Sequence, residues 1–312
     1  MRGAMLRLAV FLACIGFAHA QMPMSQAAYT PSPSGGGNTC SSPGPIDAVA
    51  DTPVVAVGLR VLKESYAANA AINVSTNSGV SYADVGFTNC DLTTSGLTLC
   101  VSANVCPVKT FYDQIASGCN PTQATVADQA YLLLNQQNGL PTIIFNGSSD
   151  TYACTLGSGV TTNTVFVVAA FNSVGNSGTL ETIANSGVVG TSVGCYSSCG
   201  FQGVSKYDGT TSSYAHTATN LNDGTYRQWT GDETNTLSRF IVNGASNLDE
   251  TTAVTIPSAT TFTMGSEAAA AGDFGLFRLG ELAIFQHITG CTAGSGDCNT
   301  VYLNQKAYWG TP

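Results

Sequence analysis

The chain has 312 residues, with 10 Lys and Arg against 19 Asp and Glu, a formal charge of −9. Charged residues make up 9% of it, well under the usual quarter or so, while glycine alone numbers 34. An acidic chain with no basic run is a poor partner for nucleic acid or an anionic membrane, whereas a surface built from Ser, Thr, Asn, Gln and Gly suits neutral ligands such as sugars.

Residues 1–20 read as a secretory signal peptide: Arg2 and Arg7 flank a short start, residues 8–17 are apolar, and Ala18-His19-Ala20 offers small residues for cleavage. The apolar stretch falls well short of the roughly 20 residues a membrane span needs. No later stretch is long enough either, so the expected product is secreted or periplasmic, with no membrane insertion. Residues 21–43 are rich in Pro, Ser and Gly and read as a flexible lead-in. Residues 44–312 are expected to form one β-sandwich domain.

Cys14 lies in the leader, which leaves an even set of ten: Cys40, Cys90, Cys100, Cys106, Cys119, Cys154, Cys195, Cys199, Cys291 and Cys298. In an exported chain that reads as a disulfide framework. The shortest loops close most cheaply, giving the expected pairs Cys100–Cys106, Cys195–Cys199 and Cys291–Cys298. Cys40, Cys90, Cys119 and Cys154 would then pair among themselves. Neither a second Cys cluster nor a nearby His supports a zinc site, so no metal and no cofactor are expected.

Along the chain, residues 54–69 have apolar positions at helical spacing after Pro53, which predicts a short N-terminal helix. Short β runs follow at residues 71–74, 108–112, 142–145, 165–171, 179–183, 203–207, 226–229, 238–242, 261–264 and 281–285, and residues 300–309 end the chain as a short helix. Residues 165–171 are the most apolar and should be a central strand. Asn243-Gly244 and Asp208-Gly209 are hairpin signals. Many short strands between Gly, Asn and Asp turns predict a mostly β, two-sheet sandwich or jelly roll.

Two blocks carry a family resemblance. Gly44-Pro45-Ile46-Asp47, Asp51-Thr52-Pro53-Val54-Val55-Ala56 and Leu59-Arg60-Val61-Leu62 form the first. Leu99-Cys100, Cys106, Thr110-Phe111-Tyr112-Asp113-Gln114 and Thr122-Gln123-Ala124 form the second. In order and spacing they resemble the catalytic domain of the α-L-arabinofuranosidase B family over residues 44–147, with a fainter return at 304–308. The resemblance implies a concanavalin A-like jelly-roll β-sandwich and a retaining glycosidase mechanism. The segments that would carry its two carboxylates match least; their nearest counterparts are Glu181 and Asp249. Residues 160–290 look more like a lectin or laminin-G sandwich.

Retaining hydrolysis needs two carboxyls about 5–5.5 Å apart, one to attack and one to protonate the leaving oxygen. Glu181 and Asp249 are the candidates, although Asp249-Glu250 also reads as a solvated hairpin tip. Asp113 reads as a loop cap that accepts backbone hydrogen bonds. Sugar rings stack on aromatics, which makes Tyr226 and Trp229 candidate ligand-binding residues, with Tyr207 and Tyr214 nearby. No phosphate-binding glycine loop precedes a helix. Asn73-Val74-Ser75 and Asn146-Gly147-Ser148 fit the N-glycosylation pattern. Two functions follow: an arabinofuranosidase-type hydrolase acting on arabinose-containing or other neutral glycans, or a lectin-like binding module that has lost the hydrolase site. In both, the partner is a glycan.

Overall fold

β-branched and aromatic residues in runs of five to nine set the architecture, because such side chains fit a pleated, buried surface. The structure, a computed structural model, describes residues 44–51, 53–102, 105–172, 178–186, 189–196, 201–267 and 273–312; for residues 181, 185, 186, 189, 196 and 246–248 it describes the backbone. In chain order the strands are β1 (Pro53–Gly58), β2 (Ala70–Val74), β3 (Ala83–Thr88), β4 (Asp91–Leu92), β5 (Val108–Phe111), β6 (Tyr131–Gln137), β7 (Leu140–Asn146), β8 (Tyr152–Val160) and β9 (Asn163–Phe171). There follow β10 (Gly178–Ser186), β11 (Val189–Tyr196), β12 (Phe201–Tyr207), β13 (Ser212–His216), β14 (Arg227–Glu233), β15 (Ser238–Val242), β16 (Ala245–Glu250), β17 (Ala259–Met264) and β18 (Leu276–Phe285), and then one helix, α1 (Gly296–Trp309).

The strands form an eight-stranded sheet, β16-β15-β14-β9-β18-β7-β6 with β1 added to β18, and a six-stranded sheet, β13-β12-β11-β10-β17-β8. A smaller sheet, β4-β3-β2-β5, adjoins them. All strand pairings are antiparallel. The fold is the expected jelly-roll β-sandwich. β9 is buried at every position, because both of its faces are covered. Val165, Val167, Ala169 and Phe171 join the core between the sheets, while Phe166, Val168 and Ala170 face a second layer of Ile288, Val301 and Trp309 beneath α1.

The N-terminal helix predicted over residues 54–69 does not form. Residues 53–58 are β1, and only Glu64–Tyr66 make a single 3-10 turn. β1 is buried on both faces, with Val55 and Val57 in the inter-sheet core and Ala56 against the layer under α1. A strand apolar on both sides loses the alternation that would distinguish it from a helix. The Asp249-Glu250 tip is also corrected: both residues lie within β16, opposite Arg239 and Ser238. The tip is Asn243-Gly244, with φ of 50° and 74°, the mirror-image turn that matches strand twist.

The blocks that carry the family resemblance build the scaffold. Asp113 accepts from the backbone N–H of Ala56 (2.9 Å), Ile115 (3.3 Å) and Ser117 (2.7 Å), and from the Ser117 hydroxyl (2.6 Å). Gln114 accepts from Leu62 N (2.7 Å) and donates to the carbonyls of Gly58 and Arg60. Arg60 in turn makes a bidentate pair with buried Glu281, which also accepts from Trp309 Nε1 at 2.8 Å. This network ties β1, β18 and the end of α1 together. Gly310, with φ of 64°, stops α1 by donating to Lys306 O.

Disulfides join Cys100–Cys106, Cys119–Cys154 and Cys291–Cys298. Cys90 and Cys195 are disulfide-bonded as well; Cys40 and Cys199 lie outside the described residues. No described helix is long and apolar enough to cross a membrane.

Candidate functional site

The residues singled out from the sequence do not assemble into one site. The Glu181 backbone sits in β10 opposite Val193 and Met264, inside the six-stranded sheet. Asp249 sits on β16, the edge of the other sheet, and is engaged by Arg239, whose Nη2 lies 2.8 Å from Asp249 Oδ2. Nothing in the strand pairing brings these two together. Trp229 and Tyr226 are core residues, not platforms. Trp229 is fully buried between Phe171 and Phe240 and donates Nε1–H to Ala169 O at 2.9 Å. Tyr226 is 5% exposed and donates its hydroxyl to Thr142. Neither offers a ring face to a sugar, because β14 is covered on both sides.

A different arrangement emerges on the outer face of the six-stranded sheet. Val193, Val204 and Ala215 point into the core, so their neighbours along β11, β12 and β13 point away from it. Register aligns these outward residues in rows. One row runs Tyr214, Ser205, Ser192, Thr182, Thr263 across five strands. Beside it lie Ser212, Tyr207, Gly190 and Ala184, and on the other side His216, Gly203, Gly194 and Thr179.

The rim of this face is aromatic and its floor is small. Tyr214 is 48% exposed and Phe201, on the same side of β12, is 36% exposed. The Phe201 ring lies 4.8 Å from the His216 ring, whose Nδ1 is 2.8 Å from Thr217 O. Tyr207 is half-buried and donates to Gly209 O. Ser192 and Ser205 hydroxyls are 2.9 Å apart. Gly203 is required: a Cβ there would lie 2.3 Å from Ala215 O. Deeper in, Thr182 Oγ1 is buried with no hydrogen-bond partner among the described residues.

The backbone near Glu267 and Asp273 is tied to the β10–β17 end of this sheet. Thr263 Oγ1 donates to Ser266 O, next to Glu267, and Thr179 N donates to Asp273 O. Gly275 N bonds Gly265 O at 3.0 Å, pinching together the backbone that leads to Glu267 and Asp273. Burial raises the Glu267 carboxyl above its ordinary range, and the charge of Asp273 adds to that.

A cavity of about 370 Å³ lies on the small sheet, lined by residues 67–70 and 84–87 with Thr93 and Ser95. Its one carboxylate, Asp84, is already held by Asn73 Nδ2 (2.6 Å) and the Tyr112 hydroxyl (2.7 Å), an arrangement that with burial pushes Tyr112 up to about 12. It has no exposed ring. Among the described residues no group of His, Cys, Asp or Glu is placed to hold a metal.

The fold is shared with carbohydrate-active β-sandwich proteins. An arabinofuranosidase in complex with arabinofuranosyl-α-1,2-xylobiose superposes with a TM-score of 0.61 at 12% identity, over 85% of this chain and 65% of that one. A mutant GH54 α-L-arabinofuranosidase soaked with 4-nitrophenyl α-L-arabinofuranoside gives 0.60 at 13%, over the same shares. A GH54 α-L-arabinofuranosidase soaked with a cyclic sulfate inhibitor gives 0.58 at 14%. The chain thus spans about two thirds of the length of these proteins. No protein-family model and no curated protein sequence matches it.

Proposed function

We propose that this is an exported protein that recognises neutral glycans on the outer face of its six-stranded sheet. The observation that carries the reading is the pairing of exposed Tyr214 and Phe201 with a Gly, Ser and Thr floor, aligned by register across β10–β13. An aromatic ring packs against the C–H face of a sugar, and hydroxyl groups exchange hydrogen bonds with its edge. Among the described residues the three rows hold no Lys, Arg, Asp or Glu, so an uncharged ligand suffers no unpaired charge. The buried Thr182 hydroxyl is a polar group that a buried water would satisfy. Arabinose-containing glycans are the first class to test, given the fold. Titration calorimetry with arabinoxylan and arabinan oligosaccharides should show binding that Tyr214→Ala weakens at least about tenfold, ~1.4 kcal/mol, with melting temperature unchanged. Binding indifferent to both Tyr214→Ala and Phe201→Ala would place the ligand elsewhere.

Glu267 and Asp273 favour a second reading, hydrolysis of the bound glycan. A carboxyl whose proton is held more tightly through burial is the kind of group that donates to a leaving oxygen, while a second carboxylate attacks or activates water. Release of nitrophenol from nitrophenyl α-L-arabinofuranoside, abolished in Glu267→Gln with binding retained, would establish it. Turnover equal in the variant would dismiss these two residues.

A further inference from the structure

We infer that Asn146 is an N-glycan acceptor and that Asn73, the other Asn-X-Ser asparagine, is not. The two sites have the same sequence pattern and opposite surroundings. Asn73 lies within β2, flanked by β3 and β5, with its Nδ2 donating to Asp84 Oδ1 at 2.6 Å. The sequon hydroxyl there, Ser75, is fully buried; it donates to Asn77 Oδ1 and accepts from the backbone of Asn77 and Gly79. Modifying Asn73 would require its Nδ2–Asp84 bond to be broken and the buried Ser75 hydroxyl to be uncovered.

Asn146 ends β7 at an exposed turn, where Gly147 takes φ of 70° and Ser148 is also exposed. The Asn146 side chain is already turned into position by its oxygen. Oδ1 accepts from the backbone N–H of Ser148 (2.8 Å), Ser149 (3.0 Å) and Asp150 (3.3 Å), an Asx turn. That leaves Nδ2 facing outward, with one contact, to the exposed Ser149 hydroxyl at 3.1 Å. The reaction replaces one of the two Nδ2 hydrogens, so the remaining N–H keeps this bond. The co-reactant is a lipid-pyrophosphate-linked oligosaccharide. A bond forms from Nδ2 to the anomeric carbon, the anomeric carbon–oxygen bond to pyrophosphate breaks, and the Nδ2 proton leaves with the released lipid pyrophosphate.

The inference does not depend on the glycan-recognition reading. It is tested by directing the full chain into a eukaryotic secretory pathway and treating the product with peptide-N-glycanase in ¹⁸O water. The peptide containing Asn146 should carry ¹⁸O-labelled aspartate and the one containing Asn73 should not. Asn146→Gln should remove the glycan-dependent gel shift, and Asn73→Gln should leave it. An unmodified Asn146, or occupancy at Asn73 equal to or above that at Asn146, overturns the inference.

Discussion

Asp150 should set a pH dependence on stability. It is 1% exposed, follows the Asn146 turn, and accepts one hydrogen bond, from Asn146 N to Oδ2 at 2.7 Å; Oδ1 has no partner among the described residues. Burial pushes this carboxyl up to about 6, against the pull of the Asn146 bond, and the nearby charge of Asp128 pushes the same way. The unfolded value is ~3.9, so the gap of about 2 units corresponds to a ceiling of ~3 kcal/mol at 1.36 kcal/mol per unit. Partial relaxation and solvent access should leave about 1–2 kcal/mol. The native state holds this proton more tightly than the unfolded state. Its contribution is therefore complete below about pH 4 and is lost as pH rises through 6. Asp150→Asn keeps an acceptor for the Asn146 N–H and never ionises. Urea unfolding should find the variant more stable than the parent by about 1–2 kcal/mol at pH 7.5, with the two converging at pH 4. A difference that stays constant from pH 4 to 8, or a parent that gains on the variant as pH rises, would refute the reasoning.

Other parts of the scaffold give equally direct tests. Glu281→Gln leaves Arg60 buried without its counter-charge and should cost about 3–5 kcal/mol in urea unfolding; a loss below about 1 would mean that the pair is dispensable. Gly203→Ala forces a Cβ to 2.3 Å from Ala215 O and should lower stability by about 1–3 kcal/mol, so an unchanged melting temperature would contradict the close strand approach. Cys119–Cys154 spans 35 positions and Cys100–Cys106 spans 6. Loop-closure entropy then predicts a loss of about 4 kcal/mol for the double alanine variant of the first pair and about 2 for the second. The reverse ranking by thermal melting would rule out unfolded-chain entropy as the dominant effect.

What the sequence made legible was whatever depends on local chemistry. The apolar run of residues 165–171 is the centre of the eight-stranded sheet, Asn243-Gly244 is the hairpin turn, and Asp113 is the loop cap. The errors fall where tertiary cover removes the periodic signal. β1 is apolar on both faces and so read as a helix, whereas β14 is polar in sequence yet buried almost throughout, so its Trp229 read as a ligand platform. The candidate site was less visible still. β11 and β13 were not anticipated, because Val189–Tyr196 and Ser212–His216 are mostly small or polar. The available signal was the single apolar residue between small ones in Ser192-Val193-Gly194 and Gly203-Val204-Ser205. That alternation marks a strand with one apolar face and one small or polar face, and only the register shows that the small faces adjoin.

The two sheets use their outer faces differently, and the proposed function rests on that difference. The eight-stranded sheet is covered by α1, which Cys291–Cys298 pins at its start and the Trp309–Glu281 bond at its end. On this sheet Arg239 pairs with Asp249, and His287 Nδ1 lies 3.2 Å from Asp232. An antiparallel sheet needs only one covered face, and the six-stranded sheet leaves Tyr214 and Phe201 in solvent. That face carries hydroxyls, exposed rings and Gly203. In the proposed reading recognition rests on Tyr214 and hydrolysis on Glu267, so the two can be tested separately. A glycan-binding protein without turnover would lose affinity with Tyr214 and nothing with Glu267. An enzyme would lose turnover with Glu267 while still binding its substrate.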